Sequence, residues 1–333
     1  MQVKQLGERG IIAMIHRMQS SPPPGYVGIG DDAALLPGYP DGWLISQDML
    51  VEDIHFRWDW ATPEQVGYKA AQVNLSDIAA MGGQPTAALT SLAVPSQMSS
   101  EVLESLYRGL TRAFDSWGVI ILGGDTVGTV DRLVLDVVIL GKPSAQGPVL
   151  RQGARPGDRL MVSGRLGASY AGYMLLSHGA SWPGEDIDAR SVLTAHLEPH
   201  ARVALGQAAA PFIHAMTDVS DGLAREVEEL VQFGSVGADV WLENLPICRA
   251  TRQIAAGFQS DGEDYALFGG EDYELLMAVP PSHLEAVKNA AAQSDVALTE
   301  IGVVTDGRNI RWLKNGEPVV LHGEGVAFDH FSR

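Results

Sequence analysis

The chain is poor in several residues that commonly announce a chemistry. One cysteine, Cys248, stands in 333 residues, which excludes an intrachain disulfide and a thiolate metal cluster. There are five lysines, Lys4, Lys69, Lys142, Lys288 and Lys314. None sits in a P-loop, because Gly141-Lys142 runs into Pro143 and lacks the upstream glycine spacing. No run of about 18 apolar residues occurs, so no membrane-spanning helix is expected. The opening stretch, MQVKQLGERGIIAMIHR, sets Glu8, His16 and Arg17 around a short apolar patch. That pattern predicts an amphipathic helix and no signal peptide, and a cytoplasmic location fits. Positive charge is also scarce: the net charge is -18 and the pI about 4.8. Nucleic acid and anionic membrane surfaces are therefore poor partners.

What is present suits a globular α/β protein of two domains, with 46% hydrophobic and 19% charged residues. Strand and helix signals alternate. Residues 43–47 read as a strand ending at Asp48. Thr62-Pro63-Glu64 is a helix start, with a capping side chain, proline in the first turn and an acid behind it. That helix is expected to reach Met81 and stop at Gly82-Gly83. Strands are expected at 87–94, 119–122 and 133–140, with an amphipathic helix from Ser100 to Trp117. Residues 142–157 hold three prolines and three glycines and predict a linker between an N-terminal domain, 1–141, and a C-terminal domain, 158–333. Beyond it, strands are expected at 159–162, 238–242 and 274–279. Helices are expected near 168–178, 201–210, 221–233 and 282–294, before a terminal β region. A weak echo links Asn74-Leu75-Ser76-Asp77 with Asp218-Val219-Ser220-Asp221.

Acids gather at turns and element ends: Asp31 with Asp32, then Asp48, Glu52 and Asp53, Asp77, Asp125, Asp218 with Asp221, and Glu271 with Asp272. Taken singly, each is more ordinarily a turn or cap residue. Taken together they point to one crevice, because strand ends in α/β folds converge on the ligand site. Two unit charges 4 Å apart repel by about 4 kcal/mol at an effective dielectric near 20. Converging carboxylates must therefore protonate, separate or bind cations. Hard oxygen ligands without His or Cys spacing favour Mg²⁺ over zinc, and no EF-hand loop supports calcium. An acidic cleft that meets a polyphosphate through Mg²⁺ also suits a lysine-poor chain. Gly123-Gly124 before Asp125, and Gly269-Gly270 before Glu271, allow close backbone approach to a ligand.

Six motifs occur in order: GIGDDAAL (28–35), DMLVEDIHF (48–56), NLSDIAAMGG (74–83), GGDTV (123–127), DVSDGL (218–223) and GGEDYELL (269–276). They resemble the thiamine-monophosphate kinase family along nearly the whole chain. That family shares a superfamily with aminoimidazole ribonucleotide synthetase and selenophosphate synthetase. The resemblance implies a two-domain aminoimidazole-ribonucleotide-synthetase-like fold of the α+β type, each domain a mixed or antiparallel sheet with helices on one face. It implies transfer of the γ-phosphoryl of ATP to thiamine monophosphate, a homodimer, and several Mg²⁺ ions holding ATP between the domains.

By position, the resemblance makes Asp32, Ser46, Asp48, Asp77, Asp125, Asp218 and Asp221 metal ligands, with Asp31 beside them. Gln47 stands where the family usually has Thr, next to a metal, and its backbone carbonyl could still serve. Tyr107, Gly124, Asp125, Arg151 and Ser220 would touch ATP. His55, Glu271 and Phe328 would contact the thiamine moiety. The acceptor in such a reaction is already a phosphate oxyanion, so no general base and no phosphoenzyme are expected; positioning and charge neutralisation carry the rate. The alternatives are another ATP-using synthetase of the superfamily or a non-catalytic Mg-nucleotide-binding protein. Selenophosphate synthetase would want a reactive thiol near the N-terminus, whereas Cys248 lies in the second half.

Overall fold

The computed structural model describes residues 25, 31–36, 38, 42–181, 183–184 and 186–322. The expected N-terminal helix, the glycine turn at 28–30 and Phe328 lie outside the described residues. The first sheet holds β1 (Ala34–Leu36), β2 (Trp43–Val51), β3 (Gln84–Pro95), β4 (Ile120–Thr129) and β5 (Val134–Lys142) in the order β1-β2-β5-β3-β4. All its pairings are antiparallel except β3 with β4. Helices α1 (Pro63–Ala80) and α2 (Ser100–Asp115) cover one face.

In β2 the period of two is plain: Leu44 and Leu50 are buried while Gln47 and Met49 are exposed. Ser46 and Asp48 thus share the covered face with the leucines. Helix α1 starts in a capping box: the Gln65 N–H donates to Thr62 Oγ1 (3.3 Å) and the Thr62 N–H to Gln65 Oε1 (3.0 Å). It ends at Ala80, and Gly82 takes φ 64°. The helix is buried on most of its surface because it lies between the first sheet and the second half of the chain. One core cluster joins Val66, Leu75 and Ile78 of α1 to Leu106, Leu110 and Phe114 of α2, and also to Val203, Met216, Leu275 and Met277.

The second sheet holds β6 (Arg159–Ser163), β7 (Ala215–Asp218), β8 (Gly237–Trp241), β9 (Leu275–Val279), β10 (Leu298–Thr305), β11 (Ile310–Lys314) and β12 (Glu317–Val319) in the order β12-β11-β8-β10-β6-β9-β7. Only β11 with β8 is parallel. Helices α3 (Ala168–Ser177), α4 (Ile187–Leu197), α5 (Val203–Ala209), α6 (Leu223–Gly234), α7 (Arg249–Gly257), α8 (Gly262–Phe268) and α9 (Leu284–Gln293) belong to this half. Its central strands are apolar on both sides: Met161, Met277 and Val279 face the cluster containing α1, while Leu160, Leu276 and Ala278 face α6 and α8.

Three findings go beyond these expectations. The strand expected at 119–122 does not turn at its glycines. It continues through GGDTV as β4, because β3 offers a parallel partner all the way to Thr129. The segment expected as a linker is fastened: the Val149 N–H donates to the Met81 carbonyl (3.1 Å), and the Leu150 carbonyl accepts from the Met216 N–H (3.1 Å). Strand β7 and helices α4, α7 and α8 have no counterpart in the sequence reading. Among the described residues no helix is long and apolar enough to cross a membrane.

Candidate active site

Three carboxylates from distant parts of the chain meet at the seam between the two sheets. One oxygen each from Asp32, Asp77 and Asp218 lies within 4.8 Å of the others. Asp77 comes from the last turn of α1, Asp218 from the end of β7, and Asp32 from the turn before β1. Each is held. The Ser46 hydroxyl on β2 donates to Asp77 through a short hydrogen bond, and the Ser76 hydroxyl donates to Asp218 at 2.5 Å. The two echoing tetrads of the sequence thus face each other across the site. Arg151 forks onto Asp32, Nη2 to Oδ1 at 2.6 Å and Nε to Oδ2 at 3.0 Å. The same guanidinium reaches Glu229 at 2.5 Å and Thr217 at 3.2 Å.

Asp31 and Asp32, adjacent in sequence, do different things. The Asp32 side chain is 1% exposed and joins the cluster. Asp31 accepts the backbone N–H of Asp32 (3.0 Å) and of Arg151 (3.2 Å), so it shapes the turn. Burial, then the Asp32 charge, lifts Asp31 to about 7.

The electrostatics match the geometry. Burial, followed by the charges of Asp48, Asp218 and Asp32, pushes Asp77 well above the ordinary aspartate range. Burial and the Asp32 charge do the same to Asp218. Asp48 rises to about 6, chiefly by burial, with the charges of Asp136 and Asp221 adding and a hydrogen bond from Asp77 opposing. Glu226, buried behind Thr217, is also pushed well up, first by burial. Such a set holds protons or a cation, since its charges cannot coexist bare in a buried site. Its donors are all carboxylate and hydroxyl oxygens, the set a hard divalent cation takes.

Other sequence-predicted residues stand apart from this cluster. Gln47 turns to the outer face of the first sheet, where its Nε2 donates to both oxygens of Asp136 (2.9 and 3.0 Å). Only its backbone remains for a metal. Asp125 lies opposite Ser91 on the exposed edge strand β4, outside the three-carboxylate group. Gly124 beside it has no room for a side chain, since a Cβ would sit 1.6 Å from the Thr90 carbonyl. The second glycine of GGD is therefore required by the sheet itself. The Tyr107 hydroxyl bonds Thr90 Oγ1 at 2.9 Å. Asp221 pairs with Arg225 at 2.7 Å. The Ser220 carbonyl accepts the Glu271 N–H at 2.6 Å.

His55 and Glu271 belong to a second centre. A small cleft is lined by His55, Phe56, Trp60, Lys69 and His196, among others. Lys69 Nζ approaches Glu271 to 2.9 Å, as an ion pair more than as an aligned hydrogen bond, and His196 Nδ1 lies 3.3 Å from the other oxygen. Sequence reasoning missed Lys69, His196, Ser76, Thr217, Asp136 and Glu226. Only Ser76 carried a signal, through the echo with the Asp218 tetrad.

The comparisons with known proteins bear on the family and the fold. The family description "AIR synthase related protein, N-terminal domain" matches residues 30–142, and its C-terminal counterpart matches 155–313. Thiamine-monophosphate kinase of Bacillus subtilis is 34% identical, over 92% of this chain and 93% of that one. The same-named protein of Salmonella typhimurium is 35% identical over 98% of each. The chain belongs to the thiamine-monophosphate kinase family. Among solved structures, one described as AaThiL complexed with AMPPCP and TMP superposes with a TM-score of 0.85 at 32% identity over 99% of each chain. Thiamine monophosphate kinase from Aquifex aeolicus gives 0.83 at 30%, over 96% of this chain and 100% of that one. The Escherichia coli hydrogenase maturation protein HypE, at 21% identity and 0.70 over 85% and 86% of the two chains, shares the fold alone. Within the thiamine-monophosphate kinase family, then, the acidic seam of this chain is built by both halves together.

Proposed function

We propose that this protein transfers the γ-phosphoryl group of ATP to the phosphate of thiamine monophosphate, giving thiamine diphosphate. The observation that carries the reading is the convergence of Asp32, Asp77 and Asp218 at the seam of a fold shared with kinases of that name. Asp32, Ser46, Asp48, Asp77, Asp218 and Asp221 would hold Mg²⁺, with Asp31 fixing the turn and Gln47 offering its carbonyl. When bound there, Mg²⁺ supplies the positive charge that lets two anionic phosphates approach. Ser46 and Ser76 orient Asp77 and Asp218 by donating to them. Arg151, now on Asp32, has the planar fork suited to a phosphate, and with Tyr107, Gly124, Asp125 and Ser220 it would hold ATP. His55 and Glu271, with Phe328, would take the thiamine part. The acceptor oxygen is already anionic, so no side chain of this chain must remove a proton or carry the phosphoryl group.

A second copy of the chain is the proposed partner. The outer face of the first sheet is uncovered among the described residues and carries Met49, Leu89, Ile120, Leu122 and Val127 in exposed positions. A ten-residue edge strand of that character is a template for association. The proposed location is the cytoplasm. The direct test incubates the protein with ATP, Mg²⁺ and thiamine monophosphate. Thiamine diphosphate should appear, should fail to appear in EDTA, and should form without a phosphorylated protein trapped on acid quench. ATP hydrolysis with no thiamine diphosphate would overturn the acceptor assignment.

A further inference from the structure

Glu271 sits in an improbable turn. It has φ 57°, between Gly270 at 71° and a further left-handed residue, Tyr273, at 50°. The Glu271 N–H is tied to the Ser220 carbonyl and the Tyr273 N–H to that of Val219 (2.9 Å). Non-glycine residues adopt this conformation rarely, and where they do the surroundings enforce it. Here the backbone is stitched to the turn that carries Asp218 and Asp221, and the carboxylate reaches Lys69 and His196.

Two side chains receive that carboxylate. Lys69 lies on α1, eight residues before Asp77, about 12 Å along the helix axis. Its side chain is 5% exposed, and Glu271 is the anion it meets. His196 on α4 approaches the other oxygen and also Ser169 Oγ, at 3.1 Å. Burial, then the Lys69 charge, drops His196 to about 3, so its imidazole is neutral. Its Nδ1 stands between the Ser169 hydroxyl and the Glu271 carboxylate. Burial works to raise Glu271, but Lys69 above all, then His196 and His55, hold it below the ordinary range. The carboxylate is still about a third exposed, and all these groups except Glu271 itself line the same cleft.

We propose that Lys69 and His196 are positioning residues that fix the Glu271 carboxylate, ionised, beside His55 at the cleft, where it meets the cationic ring system of thiamine monophosphate. The inference rests on the substrate role proposed for Glu271. A bare buried lysine would be costly, and a structural ion pair alone would give one reason to keep it. The positioning role makes a different demand: loss of Lys69 must be felt through Glu271 and at the thiamine substrate only.

The test compares wild type, Lys69→Met, Glu271→Gln and the double variant by steady-state kinetics with each substrate varied. Removing a charge-assisted contact should raise the KM for thiamine monophosphate by about tenfold or more in Lys69→Met. The KM for ATP should stay within about twofold, since uniform damage to the fold would move both. The double variant should be no worse than Glu271→Gln, because Lys69 acts through it. Should Lys69→Met not fold, His196→Leu carries the same comparison, with a rise of about threefold expected. A normal loss in Glu271→Gln beside an unchanged KM in the folded positioning variant, or effects that multiply in the double, overturns this inference alone. An unchanged KM in Glu271→Gln overturns the substrate role of Glu271 and the inference with it.

Discussion

At the residue scale, Asp77 lets folding and ligand binding be separated by exchanging one atom group. Its carboxylate is among other buried acids and is pushed up by burial and by Asp48, Asp218 and Asp32. Asp77→Asn keeps the shape and an acceptor for Ser46 while removing a charge. Activity should fall by at least about 100-fold, since a charge-assisted contact to the cation is lost. The metal-free protein, in contrast, should become equally or more stable. The sign follows from proton linkage: a carboxyl whose folded value is raised binds its proton more tightly in the native state, so its deprotonation costs stability as pH rises. The gain from Asn should vanish near the ordinary value of 3.8 and grow above it; urea unfolding in EDTA at pH 4, 6 and 8 reads this. A large loss of stability at pH 8 would make Asp77 a structural residue. Legibility at this scale was uneven for a physical reason. Acids following strands or opening helices are ordinary turn or cap residues one by one, and became legible only because so many gather at element ends. Lys69 announced nothing, since its neighbours Ala70, Ala71 and Gln72 reveal neither its burial nor the anion supplied 202 positions later by Glu271.

At the element scale, the placement of Asp77 depends on how closely α1 and α2 cross. The crossing is made by two glycines. A Cβ on Gly67 would sit 1.9 Å from the Leu106 carbonyl, and one on Gly109 1.9 Å from the Glu64 carbonyl. Gly109→Ala must therefore push the helices apart and should destabilise the protein by about 2 kcal/mol or more, although alanine favours helices intrinsically. Gly257→Ala, at the end of α7 with nothing within 4 Å of the new methyl, should change stability by no more than about 0.5 kcal/mol. Thermal and urea unfolding of the pair check both, and equal effects would place the crossing elsewhere. The start of α1 was legible because its cap is local: Thr62, Pro63 and Gln65 lie within four residues. The extent of β4 was not. Gly123-Gly124 reads locally as a turn, and only pairing with β3, a partner more than 30 residues away, draws it into a strand. Strand β7 was missed for a similar cause: four residues, all buried, carry no alternation.

At the scale of the whole molecule, the two-layer plan was legible from alternating strand and helix signals, but the docking of the halves was not. Helix α1 is apolar on most sides, and nothing local says which side meets β2 and which meets β7. Among the described residues, this docking leaves apolar side chains exposed on the outer face of the first sheet. There Ile120 is 64%, Leu122 67% and Val127 54% exposed, on a strand whose far edge pairs with nothing among the described residues. A soluble chain seldom leaves such a strand open, because its unpaired N–H and carbonyl groups recruit further chains without limit. Closure by a second copy satisfies both edges at once and stops growth, as two-fold symmetry does generally. The same strand carries Gly124 and Asp125, the residues proposed to meet ATP. Association and nucleotide binding should therefore fail together. Light scattering at micromolar concentration should give twice the mass of the chain. Leu122→Asp should give the single mass, because a buried unpaired charge is costly at an interface, and should raise the KM for ATP more than that for thiamine monophosphate. A wild-type protein that is monomeric and fully active at that concentration would remove the second copy from the proposal and leave the bare face to another partner.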